Sequence, residues 1–349
     1  MAVTIDGNGS ITGSDVVTNA GLTAAVNTQM GLYVGNTYGR KNLLLNAEHK
    51  INQRAVTTTT TDSAFGSDMW QNRNAGTSVF TLNFQATDGT ETTPTAYRMN
   101  MAFGATATPS AGQFYAVAQS IEGYNMADLK WGTAYAKTIT FAVDLRAPAG
   151  NVAFSVRNGD ATRSYVVNIT IAAGEANTWV RKSVTIPGDT SGTWQTTTGN
   201  GMQVWLTFGC GSTYQVPSAA TWTTGNYLST STSTNYAAAG SVNVYINAPQ
   251  LERGTIASSF ERAPLQQELL ACMRYYQRIG GVSISTRPAY TRYTFLTPMR
   301  AAPTGYTLLS GSLQGADVGA YDTQGFYSPN GTLATGTSGW TLEFSSPPT

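Results

Sequence analysis

Charge is scarce in this chain. Its 349 residues carry 20 Lys and Arg against 19 Asp and Glu, 11% in all, for a net charge of +1. An ordinary soluble domain carries about 25% charged residues. The even balance leaves no basic stripe to track nucleic-acid phosphates, so no nucleic-acid partner is expected. No polybasic run adjoins an apolar anchor either, so a membrane surface is not expected to be a partner. Histidine is almost missing, His49 being the only one, and the cysteines are Cys210 and Cys272. HExxH, CxxC and zinc spacings are all absent. Two distant cysteines do not make a disulfide-stapled scaffold. Two buried free thiols fit them, and one long-range disulfide stays open. Long apolar runs are missing too. No stretch of about eighteen apolar residues exists, so no membrane insertion by a helix is expected. MAVTIDGNGSITG has neither the charged nor the apolar region of a secretory signal. Exit from a cell would take another route, such as host lysis.

What the chain has in plenty is strand chemistry. With few charges, its polar surface must come from Thr, Ser, Asn, Gln and Gly. Thr is β-branched and suits a pleated strand, while Gly and Asn turn the chain at positive φ. Eighteen Tyr, twelve Phe and seven Trp add side chains that strands favour. Alternation marks strands over 79–85, 114–121, 138–146, 152–157, 165–171, 179–186, 202–209 and 241–251. In the third, Ile139, Phe141, Val143 and Leu145 share one face. Turn clusters such as APAGN (147–151), NGDATRS (158–164) and PGDTSGTW (187–194) separate them. One buried face per strand implies two packed sheets.

The pattern predicts an all-β chain built on a jelly-roll β-sandwich at 41–262. Before it, 1–40 is an N-terminal attachment or oligomerisation segment. Val3 and Ile5 alternate there, DGNG signals a turn, and Leu22, Val26 and Met30 mark a thin helical stripe over 15–30. So thin a stripe needs a partner. After the sandwich, 263–281 is a connecting helix. Pro264 fits its first position, Leu265, Leu269, Met273 and Tyr276 mark one face, and Gly280–Gly281 ends it. Residues 282–349 form a small C-terminal β domain, with strands over 290–295, 304–310, 332–335 and 340–344.

Several motifs occur in a fixed order. NLLLNAEHKINQRA (42–55) precedes DMWQNR (68–73), QSIEGYNMADL (119–129), RSYVVNITI (163–171) and TWVRKSVTIPGDTSGTW (178–194). APQLERGTIASSFERAPLQQELLACMRYYQR (248–278) and TPMRAAPT (297–304) follow. In this order they resemble a family of phage tail-fibre and virion appendage proteins with a carbohydrate-binding-module-like jelly roll. The resemblance covers 42–304 and carries no assigned binding residues. It implies a virion structural protein, a tail-fibre or tail-appendage subunit in a homotrimer, held to other virion proteins through 1–40 and attached to a host surface glycan. A purely structural virion part, such as a baseplate adaptor, head fibre or capsid decoration, is the alternative. Within the motifs, Glu252 or Glu261 is expected to pair with Arg253, Arg262 or Arg274 and close the sandwich onto the helix.

Catalytic constellations are thin, and the chain is read as no enzyme. His49 would need a nucleophile and an orienting acid brought to it. A polysaccharide depolymerase would need two carboxyls about 5–9.5 Å apart in a cleft. Asp128, Asp144, Asp160, Glu175 and Asp189 are the acids in or beside the sandwich, several of them in turns where Asp caps its own backbone. Glu122 lies mid-strand and is expected to be half-buried on an Arg. No cofactor is expected beyond a structural Ca2+ with oxygens from DGNGS, NGD or GDTSG. The long Thr/Ser-rich stretch 212–240 is expected to be a binding or inter-subunit surface. Trp194, Tyr214, Trp222, Tyr227 and Tyr236 are the glycan-contact or interface candidates, because aromatic faces stack on sugar C–H groups amid polar neighbours.

Overall fold

The computed structural model describes residues 4–5, 11–12, 40–76, 79–87, 93–281, 291–310, 321–328 and 340–347. The chain divides into two units, Met1–Lys41 and Asn42–Thr349. In the first, β1 (Thr4–Ile5) pairs antiparallel with β2 (Ile11–Thr12), Ile5 opposite Ile11. The helix expected over 15–30 falls outside the described residues.

The second unit is a jelly-roll β-sandwich with a smaller β region behind it. Its first strands are β3 (Thr58–Thr59), β4 (Gln71–Ala75), β5 (Phe80–Ala86), β6 (Tyr97–Phe103) and β7 (Phe114–Glu122). Next come β8 (Ile139–Arg146), β9 (Gly150–Asn158), β10 (Arg163–Ile171) and β11 (Val180–Ile186). The sandwich ends with β12 (Asn200–Cys210), β13 (Thr223–Thr224) and β14 (Val242–Arg253). One six-stranded sheet has the order β13-β10-β9-β12-β7-β4, and the other β11-β8-β14-β6-β5-β3. Neighbouring strands run antiparallel.

Period-two alternation sends one set of side chains between the sheets. Val152, Phe154 and Val156 of β9 and Met202, Val204, Leu206 and Phe208 of β12 meet Ile139, Phe141, Val143 and Leu145 of β8. Phe141 and Phe154 stack across the interface, centroids 4.0 Å apart and planes 7° from parallel. Each such fully buried side chain contributes about 1.5–3 kcal/mol relative to exposure.

All eight expected sandwich strands are present, and four more join them, the two-residue β3 and β13 and the longer β4 and β6. β6 buries Met99, Met101 and Phe103, an alternation hidden by methionines that are not β-branched. β4, Gln-Asn-Arg-Asn-Ala, has no large apolar residue, and its buried Asn72 and Asn74 donate to the carbonyls of Thr59 and Thr60. No hydrophobic pattern could announce it.

The helix differs from expectation. α1 spans Leu265–Met273, with Pro264 at its N-cap, and stops before Tyr276. Leu265 is exposed, while Glu268, Cys272 and Met273 are buried. The Glu268 carboxylate accepts the Asn46 N–H, which turns an acidic position inward. Tyr276 instead opens β15 (Tyr276–Gly281). It is captured there by a small region of β16 (Thr291–Thr294), β17 (Thr307–Ser310), β18 (Gly325–Ser328) and β19 (Trp340–Ser345). The order β15-β19-β17 makes a three-stranded sheet, and β16 pairs with β18. The strand expected over 332–335 lies outside the described residues. Phe295, Met299, Phe326, Leu342 and Phe344 form this region's own core.

The expected ion pairs are partnered differently. Arg274 grips Glu122 of β7 with both ends of its fork, at 2.8 and 2.5 Å, and the Tyr275 hydroxyl donates to the same carboxylate at 2.7 Å. Arg253 pairs with Asp128 and Arg262 with Glu48. Glu252 takes the Ser258 N–H and hydroxyl, and Glu261 takes the Asn42 N–H. The helix is thus closed onto the sandwich through Glu122. That carboxylate is 1% exposed and fully buried, not half-buried.

Candidate functional site

The outward faces of the two sheets differ in access. The face of β9, β10, β12 and β7 is covered by the chain itself. Residues 211–240 cross it as a strap, tied by Ala220 N–H to the Val166 carbonyl, Gly225 N–H to Thr162 and Thr234 N–H to Asn151. Leu228 of the strap packs on Phe114, Ala116, Ala118 and Trp205, and Val216 packs on Ala153 and Val166. Trp205 keeps 2% of its surface and Leu228 none. Beneath the strap Arg157 lies over the Trp205 ring at 4.2 Å and donates to Gln203 and to Asn226 of the strap. Burial, with Arg73 nearby, pushes the Arg157 guanidinium down to about 9.

This placement scatters the five aromatic candidates. Tyr236 and Trp194 lie in the main core, 3% and 7% exposed. Trp222 is half-buried against Trp194 at 5.5 Å and Trp131 at 5.2 Å, and its Nε1 donates to the Pro187 carbonyl. Tyr214 meets Phe114 edge-on at 5.2 Å, and Tyr227 packs beside Val216. They fasten the strap and the adjoining turn, and no common exposed platform is made from them.

The outward face of the other sheet is partly open, with Asn243 exposed, Arg98, Tyr245 and Arg146 half-buried, and Asn100, Asp144 and Asn247 buried; its polar side chains come in rows set by strand register. Tyr245 of β14 lies opposite Asn100 of β6 on one side and Arg146 of β8 on the other, and Asn83 of β5 lies opposite Asn100. In the next row Asn247 is opposite Asp144, and Asp144 is opposite Arg181 of β11. The Arg98 guanidinium sits 4.7 Å from the Tyr245 ring centroid and that of Arg146 5.3 Å, while Trp179 lies 6.2 Å from the same ring. Arg181 binds Asp144 at 3.2 Å. Burial raises the Asp144 carboxyl against the opposing pull of Arg181. Asn100 donates to Asn243 at 3.1 Å. Three buried polar atoms have no hydrogen-bond partner among the described residues: Trp179 Nε1, Asn100 Oδ1 and Asn247 Oδ1. Beyond Asn243 a cleft of about 520 Å³ opens, floored by Thr81, Ala102 and Asn243 and walled by Phe103, Thr60 and Ser241.

Apart from Asp144, weighed only as a carboxylate, none of these residues was a sequence candidate, yet the signal was present. Val242, Val244 and Ile246 point inward, which sends Asn243, Tyr245 and Asn247 outward. Met99 and Met101 do the same for Arg98 and Asn100.

The other constellations are built into the frame. Ser67 Oγ lies 3.4 Å from His49 Nδ1, but His49 is 3% exposed and Nε2 has no partner among the described residues. Burial holds that imidazole down at about 3, so it stays neutral. Asp189 is bound by Arg163 at 2.7 and 2.9 Å, Glu175 by Lys182 and Asp128 by Arg253. Asp160 stands in an exposed turn. Among the described residues no group of three His, Cys, Asp or Glu side chains is placed to hold a metal ion. Of the Ca2+ candidates, GDTSG has its Asp189 committed to Arg163, and DGNGS lies outside the described residues. Cys210 and Cys272 are free thiols, and burial pushes Cys210 up to about 11.

No protein-family model matches the sequence, and no curated protein sequence matches it. Solved structures overlap with it at low similarity. The enzymatically active domain of tailspike protein 4 from bacteriophage CBA120 aligns with 61% of this chain at 10% identity and a TM-score of 0.32. The chain spans only 21% of that domain's length. The family 11 carbohydrate-binding module of the Clostridium thermocellum cellulase Lic26A-Cel5E aligns over 58% of this chain and 98% of its own, at 11% identity and a TM-score of 0.28. A tandem of two CBM22 modules from Paenibacillus barcinonensis Xyn10C aligns over 89% and 92%, at 8% identity and a TM-score of 0.31. At these scores none carries an argument about the chemistry of this chain.

Proposed function

We propose that this chain is a non-catalytic glycan-binding subunit of a phage appendage, and that it binds through the open face of β8, β14 and β6. The observation that supports the site is the setting of Tyr245, a half-buried aromatic ring flanked by Arg98, Arg146 and Trp179 two residues from the exposed Asn243. Sugars offer C–H faces to rings and hydroxyls to amides and guanidiniums, so both halves of their surface are met. The viral setting is supported by the ordered motifs between 42 and 304. A homotrimer, virion contacts through 1–40 and a place on the particle surface belong to the same reading.

A purely structural virion role is the second reading, favoured by the strap that closes the other sheet face. A glycan array and adsorption to host cells separate the two. The glycan reading expects the wild type to bind and a Tyr245→Ala variant to lose at least tenfold in affinity with its melting temperature nearly kept. Equal binding by both proteins would remove this face from the account, and no binding by the wild type would leave the structural role.

A further inference from the structure

We infer that a small monovalent anion, chloride in size, binds beneath the strap at the Nε edge of Arg157. The site lies on the covered sheet face and is separate from the proposed glycan-binding face. The first observation is a charge without a counter-charge. Arg157 of β9 is 5% exposed, and a guanidinium pushed down to about 9 is still charged at neutral pH. The titratable groups that act on it are Arg73, itself a cation, and the Tyr214 phenol. Among the described residues no carboxylate pairs with it. Its two terminal nitrogens donate to neutral amide oxygens, Nη1 to Asn226 of the strap and Nη2 to Gln203 of β12. The Gln203 oxygen also accepts the Trp205 indole N–H, so it is already shared. Amide oxygens carry no net charge, and a buried charge is ordinarily paired because its desolvation is costly.

The second observation is the set of donors left over. Arg157 Nε is buried without a hydrogen-bond partner among the described residues. So is the hydroxyl of Ser155, two residues along β9 on the same covered face and opposite Trp205. Arg73 of β4 lies against the same indole, 4.8 Å from its ring against 4.2 Å for Arg157. Arg73 has a carboxylate of its own, the exposed Asp62 at 3.3 Å. One positive charge is therefore left uncompensated beside Trp205. The kind of anion follows from the donors. With Nη1 and Nη2 committed, the guanidinium cannot grip a carboxylate or phosphate with both arms of its fork. A single Nε–H beside a hydroxyl suits a compact spherical anion, and one negative charge cancels the surplus. A larger anion would have to displace the strap, which is tied at Ala220, Gly225 and Thr234 and packed through Val216 and Leu228. Asn226 belongs to that strap, so an anion that neutralises Arg157 favours the closed arrangement.

The test uses the full chain and chloride itself, with gluconate, too large to lie beneath the strap, as the reference anion at equal ionic strength. Melting temperature and limited proteolysis within 211–240 are followed as chloride replaces gluconate. The expected result is a melting temperature that rises and saturates with chloride, and strap cleavage at least threefold slower in chloride. An Arg157→Met variant removes the charge and keeps much of the side-chain length. It should lose the saturable rise, and its remaining difference between the two salts is the baseline for non-specific salt effects. A Ser155→Ala variant disturbs packing less and should need at least threefold more chloride for the same rise. Crystals of the wild type grown in bromide should show an anomalous peak beside Arg157 Nε. No saturable rise and no such peak in the wild type would overturn the site, whatever the variants do. A saturable rise kept unchanged in both variants would place the anion elsewhere and overturn it as well.

Discussion

Two residues carry most of the testable chemistry of the frame. His49 is buried against Trp70 at 5.5 Å and Phe84 at 6.1 Å, with its imidazole held down at about 3. In the unfolded chain it titrates near 6.5, so the unfolded state takes up the proton first. The stability that His49 contributes is therefore complete above about 6.5 and is lost as the pH falls towards 3, at about 1.4 kcal/mol per pH unit. Urea unfolding at pH 7 and pH 5 checks this. The wild type should lose about 2 kcal/mol more than a His49→Asn variant over that interval. Asn is chosen because the residue sits at a φ of 56°, which Asn tolerates. Equal losses would contradict the assignment. Glu122 is the second. Replacing it with Gln weakens the anchor of Arg274 and Tyr275, and costs roughly 2–3 kcal/mol because Arg274 remains partly hydrated. An exposed pair such as Arg292–Asp322 should cost under about 1 kcal/mol when broken. Thermal unfolding of both variants measures the contrast. Little of this was legible beforehand: the sequence offered Glu122 an arginine without saying which, because Arg274 lies 152 residues away.

At the scale of elements, hydrophobic period decided what could be read. The apolar alternation in 139–146 and 202–208 carried over into β8 and β12, because each strand has one face in the core. β4 could not be read that way, since its inward Asn72 and Asn74 are held by hydrogen bonds to carbonyls. The connecting helix ran too long because Tyr276 has a helical spacing and a strand partner, and pairing with β19 wins. The strap shows the same limit. Its length and its aromatic residues were plain in the sequence, but its role as a cover depends on Phe114 and Trp205 being brought beneath it. Leu228 is a fully buried apolar anchor of the strap, so Leu228→Ala should cost about 2–5 kcal/mol. Limited proteolysis of this variant should cut within 211–240 well before the wild type is cut there. Unchanged resistance would mean that the backbone ties alone hold the strap.

For the whole molecule, one sandwich presents two outward faces with opposite fates. The strap seals one with apolar packing, and the other keeps Asn243 exposed and Tyr245 and Trp179 half-buried. A sequence gives each strand an inward and an outward set, but which outward set stays open is a tertiary fact. That is why the aromatic candidates in and around 212–240 are found packed against the sandwich, and Tyr245 and its neighbours Arg98 and Arg146 went unmarked. Hydrogen exchange in the presence of a bound glycan tests the central claim most directly. The account predicts slowed exchange in 97–103, 139–146 and 242–247, with 211–240 unchanged. Protection confined to the strap, with the β6, β8 and β14 segments unaffected, would contradict it.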